Sequence, residues 1–93
     1  MASAAHKSKH PHVAIVRAAG GNTAVVSGSR FPVRSVVNYV LKQGLSPEEL
    51  VREFGHLTLA QVYDALSYYY DHREEIEREL AENTESAQRP ETR

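Results

Sequence analysis

Four bases, Arg30, Arg34, Lys42 and Arg52, and two polar residues, Thr58 and Gln61, are the side chains of this 93-residue chain whose types and spacing suit chemistry. That chemistry is anion recognition. Guanidinium and ammonium groups neutralise phosphates, whereas hydroxyl and amide groups near the start of a helix reach backbone or base edges in a major groove. A base-reading helix usually presents Arg, Lys, Asn or Gln, and the third helix here offers only Thr58 and Gln61. Binding to DNA would therefore draw its affinity mainly from phosphate contacts. Catalysis is not written into the chain. His56 falls in a tight turn and His72 on a charged helix, with no nucleophile–base or paired-carboxylate constellation, so the reading is not an enzyme. His6, His10 and His12 lie in a polar segment with no cap or core to fix them, so they read as tail rather than metal site. No cofactor is expected, since Gly20-Gly21 lacks the spacing of a phosphate loop.

The elements that position these residues centre on GLSPEELVREFGHLTLAQVYDALSYYY, residues 44–70. Ser46 with Glu49 forms a capping box, Pro47 occupies the first helical position, and Gly44 can end a preceding helix in the left-handed conformation. Pro47, Leu50, Val51 and Phe54 then give a short helix one apolar face. Gly55-His56-Leu57 breaks it, and Thr58 caps a longer helix. Two capped helices across so short a turn read as a helix-turn-helix. On the second, Leu59, Val62, Leu66, Tyr69 and Tyr70 cluster on one side, and Ala60, Gln61, Asp64 and Tyr68 on the other. Tyr68 thus reads as an exposed aromatic suited to a partner.

Upstream, the β-branched runs at residues 13–16 and 24–26 flank Ala18-Ala19-Gly20-Gly21-Asn22, which suits a hairpin turn. Val33, Val36, Val37, Val40 and Leu41 form the apolar face of a first helix ending near Gln43, with Arg34, Asn38 and Lys42 as a basic-polar ridge opposite. Downstream, Ile76 and Leu80 continue the helical phase to about Asn83. Asp71 with Glu74 offers a further cap, leaving a continuous helix and a break near residues 71–73 both open. The fold class is therefore mainly α: an N-terminal β-hairpin, a three-helix helix-turn-helix body and a C-terminal helical extension. Residues 1–11 read as a flexible tail, 12–83 as a single domain and 84–93 as a disordered tail.

Net charge is −1 but unevenly spread, with seven bases against three acids in residues 1–57 and four against nine in residues 58–93. Such a dipole suggests one anionic and one cationic partner. There is no cysteine, and no apolar run approaches the about 20 residues that cross a bilayer, so the expected setting is the cytoplasm, with no membrane. Neither a lone hairpin nor the Ile76/Leu80 stripe can be covered by so small a body, which predicts a homodimer.

The run from Gly28 to Leu80 resembles the domain of unknown function 433 family of small prokaryotic proteins. The resemblance rests on a G-x-R-[IF]-x-V entry at Gly28, Arg30 and Val33, a G-x-S-x-E-E cap at Gly44, Ser46, Glu48 and Glu49, and the L-T run at Leu57 and Thr58 with Ala65 and Leu66. It implies a homeodomain-like fold and the role of antitoxin in a toxin–antitoxin pair, with a PIN-like ribonuclease as toxin. On that reading the protein neutralises the toxin and binds its own operator DNA through Arg30, Arg34, Lys42, Arg52, Thr58 and Gln61. Tyr68, Ile76, Glu79 and Leu80 would hold the partner, the acidic helix covering a basic nuclease surface. The alternative is a protein-interaction module on the same scaffold, with no DNA binding.

Overall fold

The computed structural model describes residues 9–18 and 21–91, with side chains for 9–17 and 21–82. Strand β1 (Val13–Ala18) pairs antiparallel with β2 (Gly21–Val26), in a register running from Val13↔Val26 to Ala18↔Gly21. Both strands exceed the apolar runs that announce them, because ladder pairing carries Arg17 and Asn22 along. Of the expected turn, Ala19 and Gly20 lie outside the described residues. Helix α1 (Val33–Val37) continues as a π-helical turn, Asn38–Lys42, in which Gln43 N–H donates to Asn38 O at 2.9 Å. Gly44 follows with φ +88°, the left-handed conformation expected of it.

Helix α2 (Pro47–Glu53) carries the predicted capping box, with Glu49 N donating to Ser46 Oγ at 3.0 Å and Ser46 N to Glu49 Oε1 at 2.9 Å. Helix α3 (Leu59–Asp71) has a second box, in which Gln61 N donates to Thr58 Oγ1 at 3.2 Å and Thr58 N to Gln61 Oε1 at 2.8 Å. His72, at φ −135° and ψ 45°, breaks the helical run, and α4 (Arg73–Glu91) starts anew. The structure thus takes the break of the two readings left open. It carries α4 past Asn83, where the sequence places its end.

The break has a packing consequence. It lets α4 lie against α1, so that Ile76 is completely buried among Val33, Val36, Val37, Leu50, Val62 and Ala65, and Leu80 packs against the same cluster. The stripe read as awaiting another chain is therefore core of this one. The hairpin is likewise covered: β1 and β2 both pack on α3, and Ala24 and Val26 are buried. Both premises of the expected homodimer thus fall. Tyr68 is corrected too, since the hairpin and the segment before it cover the side of α3 that helical periodicity assigns to solvent.

Candidate interaction surfaces

Asp64, Tyr68 and Asp71 recur at i, i+4 and i+7 on the flank of α3 that meets the N-terminal segment. Onto it docks His10, only 7% exposed, with Nδ1 3.3 Å from Asp64 Oδ1 and Nε2 2.8 Å from Asp71 Oδ2. The backbone N–H of His12 donates to Asp64 Oδ2 at 2.6 Å. Tyr68 meets the His10 ring edge-on at 5.4 Å and stacks on His72 at 4.0 Å. The hydrogen bond from His10 holds the Asp71 carboxyl below the usual carboxylate range, and burial pushes the Tyr68 phenol up. This cluster is a clamp fastening the start of β1 to α3. His10, read as tail, is a buried anchor; the stripe on α3 was the signal for it. Among the described residues, no group of three or more side chains could hold a metal ion, and His6 lies outside them.

The four bases expected to meet phosphate are not brought together. An i→i+5 turn advances each residue less around the axis than an α-turn, so the π-helical stretch swings Lys42 back toward the side of Arg34, and both face α4. There Arg34 Nη1 lies 3.5 Å from Glu79 Oε1, and Lys42 Nζ lies 3.2 Å from both oxygens of Glu77. Glu77 also accepts from the Tyr69 hydroxyl, and that bond, with Lys42, holds its carboxyl low. Burial pushes the Glu79 carboxyl up, against the opposing pull of Arg34. Arg30 is exposed and sits with Arg34 in a groove of about 470 Å³. Arg17, which sequence reasoning passed over, joins them there. Arg52 lines a separate depression beside Glu49 and Glu53. Thr58 and Gln61 serve the α3 cap, and Gln61 Nε2 also donates to Ser27 O at 3.4 Å.

The remaining face of α3 is apolar and open. Leu59, Tyr63 and Tyr70 are 39%, 51% and 56% exposed, with half-buried Leu66 between them. Their spacing of i, i+4, i+7 and i+11 makes one stripe along the helix. The Tyr70 ring rests edge-on against Tyr69 at 5.0 Å, under the Arg73 guanidinium at 5.9 Å, which fixes its orientation. Leu59 and Tyr70, read as core, thus face outward. Of the residues expected to hold a partner, Tyr68 and Ile76 are interior, Leu80 packs on the core and Glu79 pairs with Arg34.

Among the described residues, no helix is long and apolar enough to cross a membrane. No curated protein matches the chain. Its structure is similar to the crystal structure of a DUF433 member protein from Anabaena variabilis ATCC 29413. The TM-score is 0.70 and the identity 29%, over 86% of this chain and 77% of that one. Residues 18–69, from the end of β1 through most of α3, match the family described as "Protein of unknown function (DUF433)". With more than half its length inside that match and the same fold in a solved member, this chain belongs to the DUF433 family.

Proposed function

We propose that this protein is an antitoxin-like binding protein of the cytoplasm that holds a protein partner on the open face of α3. One observation carries the reading: the helix that would enter a DNA groove presents Leu59, Tyr63 and Tyr70 to solvent, and its polar starters, Thr58 and Gln61, are committed to its cap. Rigid, half-exposed tyrosines on a packed helix are what protein interfaces use as anchors. The family resemblance supplies the partner's class, a PIN-like ribonuclease. A nuclease must attract RNA and so has a basic surround, and the end of α3 with α4 offers it Asp71, Glu74, Glu75, Glu79 and Glu82, against Arg73 and Arg78, along a cleft of about 790 Å³. Charge steers the encounter and the stripe anchors it.

Operator binding is a second reading, favoured by the groove that gathers Arg17, Arg30 and Arg34. Such binding is phosphate-dominated and steeply dependent on salt. Co-purification of the full chain with the product of the adjacent reading frame tests the first reading, with Tyr63→Ala/Tyr70→Ala as the variant. The double variant loses the partner while keeping its fold. Partner binding that survives it would sink the proposal, and a salt-dependent mobility shift lost in Arg17→Ala/Arg30→Ala would establish the second reading.

A further inference from the structure

The hairpin withholds one edge and offers the other. Ser27 N–H donates to His12 O at 2.7 Å, and the pairing alternates from there along the register. Ala14 and Val16 therefore bond to Val25 and Thr23, while the N–H and C=O of Ile15 and Arg17 point away from β2. The outer edge of β2 is occupied at its C-terminal end, where Val26 N–H donates to Phe31 O at 2.8 Å and Val25 bridges Pro32. No described residue bonds to the outward groups of Ile15 or Arg17. Ile15 and Val16 beside that open edge are 53% and 41% exposed.

We propose that β1 is where two copies of this chain join, pairing antiparallel about a two-fold axis at Ile15 to make one four-stranded sheet. An open, apolar edge is a template for another strand. The register suits a second copy. The two Ile15 residues stand opposite one another and exchange a pair of backbone bonds, and each Val13 faces Arg17 of the second copy, so no like charges meet. The Val13 N–H is satisfied by His10 O at 3.0 Å, leaving its carbonyl for the Arg17 N–H of the second copy.

The side chains agree with the backbone. Val13, Ile15 and Arg17 share the face of Ala24 and Val26, which lies toward α3. Val13 and Ile15 line a groove of about 580 Å³ with Tyr68, His10, His72 and Asp71. Pairing brings Arg17 of the second copy alongside Val13, into this groove and toward Asp71, whose side chain is 46% exposed. Among the described residues, Arg17 makes no ion pair. Because two-fold pairing uses the β1 edge of both copies, and Phe31 and Pro32 occupy the end of the other edge, addition stops at two copies and the assembly is a closed dimer rather than a filament.

Sedimentation of the full chain at micromolar concentration, with three substitutions, tests this. The wild type is expected to show the mass of two chains. Ile15→Pro removes an N–H that points away from β2, so it leaves the hairpin ladder intact while raising the dimer dissociation constant about tenfold or more. Ile15→Lys does the same without altering the backbone. Ile15→Cys, in a chain with no cysteine, should cross-link readily, since directly opposed bonded residues stand about 5.5 Å apart at Cα, within disulfide reach. Leu41→Cys, exposed but far from β1 in sequence, should not. A single-chain mass, a dimer untouched by both Ile15→Pro and Ile15→Lys, or Leu41→Cys cross-linking as readily as Ile15→Cys would overturn the proposal.

Discussion

Two flanks of α3 both carry tyrosine and do opposite things. One carries Asp64 and Tyr68, covered by the hairpin and His10, with Asp71 at its rim; the other carries Leu59, Tyr63 and Tyr70 and is open. On polarity alone the assignments would be reversed. The Asp64 carboxylate can be covered because a histidine and a backbone N–H arrive to satisfy it, and the tyrosines can stay exposed because they are amphipathic. What separates core from surface on this helix is therefore the partner each side chain is given, which hydropathy does not record.

The sharpest way to break this comparison is to strike the core that α4 completes. Ile76→Ala should cost about 2–5 kcal/mol of stability, the range for a fully buried aliphatic side chain, and denaturant unfolding will measure it. A cost near zero would mean that Ile76 belongs to an interface after all. On the open flank the pattern inverts. Tyr63→Ala should weaken partner binding by about 2 kcal/mol, the usual mark of an interface anchor, yet shift stability by less than about 0.5 kcal/mol. Titration calorimetry and thermal melting of the same variant give the two numbers.

The covered flank predicts a smaller, pH-dependent effect. His10→Ala should destabilise by about 1–3 kcal/mol, because it removes a buried ring and leaves the nearly buried Asp64 carboxylate short of a partner. Asp71 is held below its ordinary value when folded, so its contribution is present above the unfolded carboxylate range and is lost as pH falls through the folded value. Asp71→Asn should therefore flatten the acid limb of the stability curve, whereas Lys42→Ala should change stability by less than about 1 kcal/mol. A stability–pH series over the acid range checks both.

The parts of this fold that can be read from sequence are the local ones. Ser46 with Glu49, Thr58 and Gly44 act on residues within a turn of themselves, and each does what its type predicts. The hairpin and the helix order follow for the same reason. What could not be read depended on distant chain. Ile76 is interior because His72 turns α4 against α1, Tyr68 because β1 and His10 reach across it, and Arg34 and Lys42 are paired because a π-turn aims both at α4. A periodicity that assumes one unbroken α-helix and one buried face misplaces each of them.

The central claim, that the open flank of α3 holds a protein, is tested most directly by hydroxyl-radical footprinting of the full chain, free and bound to the adjacent gene product. The account predicts that Leu59, Tyr63 and Tyr70 react freely in the isolated protein and are protected in the complex, while Tyr68 is unreactive in both. Tyr63 and Tyr70 remaining as reactive in the complex as alone would contradict it.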